Sequence, residues 1–259
     1  MSIITISSDS YQLSQEIAEK TAGILNYKCL GREILTTIAE TDNIPESGLH
    51  NALDGSKSLL RMTGRVRNRY MACIKSAVLS RLLNDNTVCC GLAAHLYLSG
   101  VSHVLKVKIL SDFKEHGSRI ESEKKFSPRK EQHWRKFLEA SQIDKTDASR
   151  YDLVINLGQI EKEKAVHIII DTVKDRKFMP MTYSINCIED IELESRVHKL
   201  LIERFPHSAV QAKRGSVVVK IRTFKYKKQE KSNAIKEMLN KISGVVHVDV
   251  YVKNYISWH

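Results

Sequence analysis

The segment Ser7-Ser8-Asp9-Ser10-Tyr11-Gln12-Leu13-Ser14-Gln15 stands where an α/β chain most often handles phosphate. A strand that runs through a loop into a helix start presents backbone N–H groups and the positive end of the helix dipole, and anions collect there. Phosphoryl transfer at such a place needs more: glycines so that backbone can wrap a phosphate, a Lys for the β and γ oxygens, and a Ser or Thr for magnesium. The polar groups are present. Ser8, Ser10 and Ser14, with the Gln12 amide, are the candidates for nucleotide contact. The glycines and the lysine are absent, and Tyr11 and Leu13 stand where backbone and phosphate need room. Ser10 or Ser14 also suits a plain helix N-cap, which asks only for a side-chain oxygen, and capping is the reading we place first.

Other chemistry is sparse. Cys29, Cys73, Cys89, Cys90 and Cys187 form no CxxC pair and no zinc-like spacing with histidines, and no hydrolase nucleophile motif occurs. An odd cysteine count with no signal-like start predicts free, buried thiols in a cytoplasmic protein. His95 and His103 flank apolar segments and read as core or edge histidines rather than ligands. Arg65, Arg67 and Arg69 share one helix and read as a wet surface. No apolar run approaches the roughly 20 residues a membrane span requires.

The elements that must position these residues follow from periodicity. Ile3-Ile4-Thr5-Ile6 reads as a strand buried on both faces, and Leu13, Ile17, Thr21 and Leu25 recur at helical spacing. Helical patterns also cover residues 31–40, 66–83, 93–98 and 161–173, with a polar helical stretch at 112–142. Residues 41–64, rich in Gly, Ser, Asp and Asn, predict a mobile connector. Strands are expected at 87–91, 103–110 and 152–156. Strands alternating with helices imply an α/β fold, a parallel sheet with helices on both faces. At 259 residues, 42% apolar, the chain is long enough for such a core and a second, smaller domain.

These elements carry a resemblance. The order ISxxxxxxxxEIAEK…NY…REIL, the turn VCCGLAA at residues 88–94, HVLKVKIL, and above all Tyr151-Asp152-Leu153-Val154-Ile155-Asn156 resemble the cytidylate kinase-like family of P-loop nucleotide kinases. The resemblance covers about residues 1–175. It implies a nucleoside monophosphate kinase-like fold, with ATP and magnesium as cofactors if nucleotide binding is retained. The departures fall on the chemistry. The family's Gly-Ser-Gly-Gly-Arg becomes Tyr11-Gln12-Leu13-Ser14-Gln15. An acidic residue before Arg-Glu-Ile-Leu becomes Gly31, although Arg32 remains. A Gly-Arg-Gly turn becomes Gly91-Leu92-Ala93, and the basic lid survives loosely as Arg129, Lys130 and Arg135. Phosphoryl transfer is almost wholly positioning and charge neutralisation, so these losses point to a pseudokinase.

The last third differs in character. Residues 177–187, with Pro180, read as a linker between a domain at 1–176 and a small α+β module (α-β-β-α-β) at 188–259. The module's elements are a helix at 188–205, a strand at 217–223, a helix at 233–242 and a strand at 245–252. It resembles a BON domain through Gly215 before Val217-Val218-Val219, Asn233-Ala234-Ile235, and Gly244-Val245 before Val248; Ile221 replaces a family glycine. That resemblance implies adhesion to a protein or lipid partner rather than chemistry. Of the chain's net charge of +11, residues 180–259 supply +6. Lys213, Arg214, Lys220, Arg222, Lys225, Lys227 and Lys228, with Phe224 and Tyr226 among them, form a candidate anion-binding patch. A solvated hairpin with lysines guarding a sheet edge is the plainer alternative.

The function expected from all this is a non-catalytic binding or regulatory protein, using the kinase-like domain as scaffold or nucleotide sensor and the BON-like module to engage a partner. The alternative is an active cytidylate-type kinase with an atypical loop, in which Arg32, Arg129, Lys130 and Arg135 supply the charge. A third class is a nucleic-acid or membrane adaptor working through the basic patch.

Overall fold

The run of β-branched residues at the start forms the sheet's middle strand. In the computed structural model, which describes residues 2–8, 10–54, 62–84, 86–110 and 148–254, β1 (Ile3–Ser8) pairs in parallel with β3 (Thr87–Cys90) on one side and β4 (Val104–Leu110) on the other. β2 (Lys28–Leu30) and β5 (Leu153–Asn156) complete a five-stranded parallel sheet in the order β2-β3-β1-β4-β5. Side chains alternate between its faces. Ile3, Leu30, Cys89 and Val104 face one layer, while Ile4, Ile6, Val88, Cys90, Leu105, Val107, Ile109 and Ile155 face the other.

Helices cover both faces. α1 (Tyr11–Leu25) and α6 (Lys162–Val173) bury Ile17, Ala18, Ala22, Val166, Ile169 and Ile170 on one. α2 (Ile34–Asp42), α3 (Glu46–Asp54), α4 (Gly64–Leu82) and the short α5 (Ala94–Tyr97) cover the other. Residues 41–54 are therefore not an open connector: Leu49 and Ala52 of α3 are fully buried. Pro45 starts that helix, where its missing N–H costs nothing, and Gly48 lets the turn sit on the Tyr70 ring, 2.6 Å from where a Cβ would stand. The polar stretch at 112–142, with Arg129, Lys130 and Arg135, lies outside the described residues.

The presumed linker also holds structure. A 3-10 turn at Arg176–Phe178 buries Phe178 against the first sheet, and α7 (Thr182–Leu201) begins six residues before the expected start at 188. Pro180 precedes the helix rather than breaking it, and Met181 N donates to Ser184 Oγ (3.1 Å) as a cap. At 1.5 Å per residue this 20-residue helix is about 30 Å long. Its first half packs Ile188 into the core beneath α4, and its second half gives Leu193, Val197 and Leu201 to another core. Polar contacts run alongside: Lys199 Nζ to Asp42 Oδ1 (2.7 Å), Arg69 Nη2 to Glu203 Oε1 (2.7 Å), and Arg65 Nη2 to the Glu203 carbonyl (3.0 Å). Two of the three helix arginines thus meet the residues that follow α7.

That second core lies under a three-stranded sheet, β6 (Ala209–Lys213), β7 (Ser216–Thr223) and β8 (His247–Asn254), with β6–β7 antiparallel and β7–β8 parallel. α8 (Lys228–Leu239) covers the same face as α7 through Ile235 and Leu239. Gly215 needs its freedom: φ is +79°, and a Cβ would stand 2.8 Å from Val246 Cγ2 and 3.0 Å from the Gly244 carbonyl.

Sharing one helix between two cores makes them unfold together. Ile188→Ala should cost about 2–4 kcal/mol, and calorimetry should show one transition. Two separated transitions, with only the first shifted by the substitution, would contradict the sharing.

Candidate functional site

The order β2-β3-β1-β4-β5 contains one point where consecutive connections part. The chain leaves β1 towards β2 and leaves β3 towards β4, in opposite directions. Ligands of such sheets bind beyond the strand ends at that switch point, here between Ser8–Ser10 and Gly91–Ala93. What stands in this crevice is Tyr11.

Only two residues separate β1 from α1, so Tyr11–Gln15 form the first helical turn rather than a wrapping loop. Ser10 is the N-cap, its Oγ accepting from Leu13 N at 3.5 Å, and Ser10 N donates to Ser8 Oγ at 3.3 Å. Ser14 is buried and donates its Oγ hydrogen to the Tyr11 carbonyl at 2.8 Å. Three of the four candidate contacts are thereby engaged with their own backbone. Gln12 is exposed on the same turn.

The Tyr11 side chain crosses to the neighbouring strand ends. Its Oη accepts from Arg32 N at 2.9 Å, and the Arg32 guanidinium lies 4.4 Å from the ring centroid, a cation–π distance. The ring is pressed against Gly91, whose φ is +68°; a Cβ there would stand 2.3 Å from Cδ2 and 2.5 Å from Cε2. Beside it, a Cβ at Gly31 would stand 2.6 Å from Glu33 Oε2 and 2.8 Å from Tyr11 Oη. Glu33 folds back to accept from Gly31 N at 2.6 Å, filling the space an acidic residue at position 31 would enter. Leu92 is 1% exposed and packs into the core under α4, so the turn after β3 sends an apolar side chain inward. Burial pushes the Tyr11 phenol up, helped by the Glu33 carboxylate and opposed by the Arg32 N–H bond and charge, so the phenol is neutral at physiological pH.

Next to this plug lies a polar cluster that the motifs do not announce. Ser7 Oγ is hydrogen-bonded to His95 Nδ1 at 2.9 Å, and His95 Nε2 to Tyr151 Oη at 3.2 Å, with the His95 and Tyr151 rings stacked at 5.1 Å. Lys108, 7% exposed, sits opposite Ser7 in the β1–β4 register. One residue beyond Tyr151, the Asp152 carboxylate accepts from Lys106 N (3.0 Å) and Lys177 Nζ (3.2 Å). Burial raises its pKa, but those bonds and charges outweigh it and hold it below the usual carboxylate range. These residues are far apart in sequence, and only the fold brings them together. His95 is therefore a crevice residue rather than a plain core histidine, whereas His103 is fully buried.

The thiols are free, as expected, with Cys73, Cys89 and Cys90 buried and Cys29 half-buried. Burial raises Cys73 to about 11. A hydrogen bond from the Cys90 thiol lowers Cys29 despite its own burial. Among the described residues no group of His, Cys, Asp or Glu could hold a metal, and no helix is long and apolar enough to cross a membrane. The basic patch is split by the fold. Lys220 and Arg222 stand on β7, Lys213 ends β6, Arg214 lies in the following turn with its N–H donated to Asp190 Oδ1, Lys225 and Lys227 occupy a 3-10 turn, and Lys228 opens α8.

A model of the cytidylate kinase-like family matches residues 3–159, more than half of the chain. The sheet, its switch point and this match define the class, and the chain belongs to the cytidylate kinase-like family. Among solved structures it is similar to an uncharacterized protein from Eubacterium ventriosum ATCC 27560, at 17% identity over 68% of this chain and 100% of that one, with a TM-score of 0.41. No curated protein matches.

Two expectations follow from this packing. Gly91→Ala should cost about 2–4 kcal/mol, from overpacking and the positive φ together. In a Tyr11→Ala background the same change should cost about 1–2 kcal/mol less, as measured by urea denaturation of all four proteins; additivity would mean ring and turn do not touch. Under limiting iodoacetamide near neutral pH, peptide mass spectrometry should find Cys29 alkylated before Cys73, Cys89 and Cys90. Earlier alkylation of Cys73 would contradict the placement.

Proposed function

We propose that this chain is a non-catalytic member of its family, a binding or regulatory protein in which the kinase-like layer serves as scaffold or as a sensor that binds without reacting. The observation that carries this reading is the Tyr11 ring packed on Gly91 beneath Arg32. A triphosphate with magnesium does not fit the residues present. The helix begins at Tyr11, where a cradle would need loop, and the Ser14 hydroxyl is turned onto its own helix. Neither lysine nor arginine occurs between Ser7 and Gln15. Removing even one preorganised donor for developing charge typically costs on the order of a hundredfold in rate, and here a whole cradle is replaced.

The C-terminal α-β-β-α-β unit, beginning near residue 188, completes the proposal as a BON-like interaction module. Gly215 and Gly244 support this, both at positive φ where that resemblance places glycines. A cytoplasmic setting suits the free thiols. The active-kinase reading would need Arg32 to leave its ring, joined by Arg129, Lys130 and Arg135.

A coupled assay with MgATP and CMP or dCMP decides between them. Purified protein should show no turnover above a no-enzyme blank; MgATP-dependent formation of the diphosphate would overturn the proposal. In thermal shift, a sensor gains about 2.7 kcal/mol of stability from a ligand at 100 times its Kd, whereas an inert scaffold gains none.

A further inference from the structure

Among the described residues, helices cover one face of the second sheet. Val210, Val217, Val219, Ile221 and Val248 point into the core beneath α7 and α8. The alternate residues form an open face, and its composition is selective. Central strand β7 sets out Lys220 and Arg222, and β8 sets Tyr251 beside Lys220 and Lys253 beside Arg222 in parallel register. All four are exposed, Tyr251 by 58%. Lys220 Nζ lies across the sheet towards β6, donating to Gln211 Oε1 at 3.3 Å. Among the described residues of its strands this face has one acid, Asp249, with His247 Nε2 3.3 Å from its Oδ1. Residues 209–254 carry eleven Lys and Arg against three acids, so this segment supplies +8 of the net +11. Just past β7, Phe224 and Tyr226 are exposed by 52% and 77%, with near-parallel rings at a centroid distance of 5.9 Å and Lys227 Nζ 5.7 Å from the Tyr226 ring.

We propose that the open face of the β6–β8 sheet binds single-stranded nucleic acid, with Lys220, Arg222 and Lys253 taking phosphates and Tyr251 stacking a base. Charge complementarity selects a polyanion. The aromatics narrow the choice, because every base offers a π-face and stacking is tolerant of sequence. Lys220 and Arg222, two residues apart on a strand, are about 6.6 Å apart along it, a spacing that follows successive phosphates of an extended strand. Tyr251 stands in register beside Lys220 and two residues before Lys253 on β8, so a base stacked on its ring keeps the adjoining phosphates within reach of cations on both strands. A rigid double helix offers its bases edge-on in grooves and leaves Tyr251 nothing to stack on.

Fluorescence polarisation of the full chain with fluorescein-labelled oligo(U) and oligo(dT) tests this. Both should bind, with log K falling against log salt at a slope near about −2, the value for three phosphates on a single strand. Tyr251→Ala should weaken binding about tenfold, and Tyr251→Phe should leave it within about twofold. Lys220→Ala with Arg222→Ala should cost at least about tenfold. These side chains are exposed, so the variants should melt with the parent protein, which separates a binding loss from misfolding. The proposal is overturned if Tyr251→Ala binds like the parent. It is equally overturned if a duplex of the same length binds more tightly than the single strand, or if phosphatidylserine vesicles bind while the oligonucleotides do not. None of these outcomes depends on whether the kinase-like layer turns over nucleotide.

Discussion

A single aromatic ring lying on a glycine decides how this molecule is to be understood. Tyr11 occupies the switch point of a parallel sheet whose strand order would otherwise leave a crevice for a ligand. Its neighbours are fitted to it. Gly91 holds a positive φ and has no Cβ to oppose the ring, Arg32 stacks over it and gives it a backbone hydrogen bond, and Glu33 closes the side next to Gly31. The side chains of Tyr11, Arg32 and Glu33 stand together at the switch point of that sheet.

Much of this was legible in the sequence because the signals are local. The β-branched run at Ile3–Ile6 needs both faces buried, and β3, β4, β5, α1, α4 and α6 lie within a few residues of their expected places. The absence of glycine and lysine from the residues just after Ser7 is also a local fact and could be read directly. Other features depend on distance. β2 spans three residues, too few to show a period, and gains its place only by pairing with β3. α3 hid behind Gly48, Asn51 and Asp54, whose poor helix propensity is overridden by the burial of Leu49 and Ala52. Pro180, read as part of a linker, precedes a helix, and so does Pro45.

The crevice residues divide in the same way. Of the residues named from motif and register, Arg32 lies over the Tyr11 ring, while Ser8 and Ser10 bond the backbone at the start of α1. Ser7 of β1, His95 of α5 and Tyr151 just before β5 come together across separations of 88 and 56 residues, which no spacing rule detects. The basic patch was visible as composition, but the sorting of its members was not. Alternation along β7 sends Lys220 and Arg222 outward, and parallel pairing brings in Tyr251 and Lys253 from residues beyond the patch. α7 joins the two halves of this picture. It begins in the core of the first sheet and ends in the core of the second, with acidic residues along its length and the cationic sheet at its far side.

The most direct test is a crystal structure of the full chain grown with MgATP and CMP at saturating concentration. The account predicts the Tyr11 ring still seated on Gly91, with Arg32 above it and no triphosphate against the first turn of α1. An ordered triphosphate and magnesium ion between Gly91 and Ser14, with Tyr11 swung aside, would contradict it.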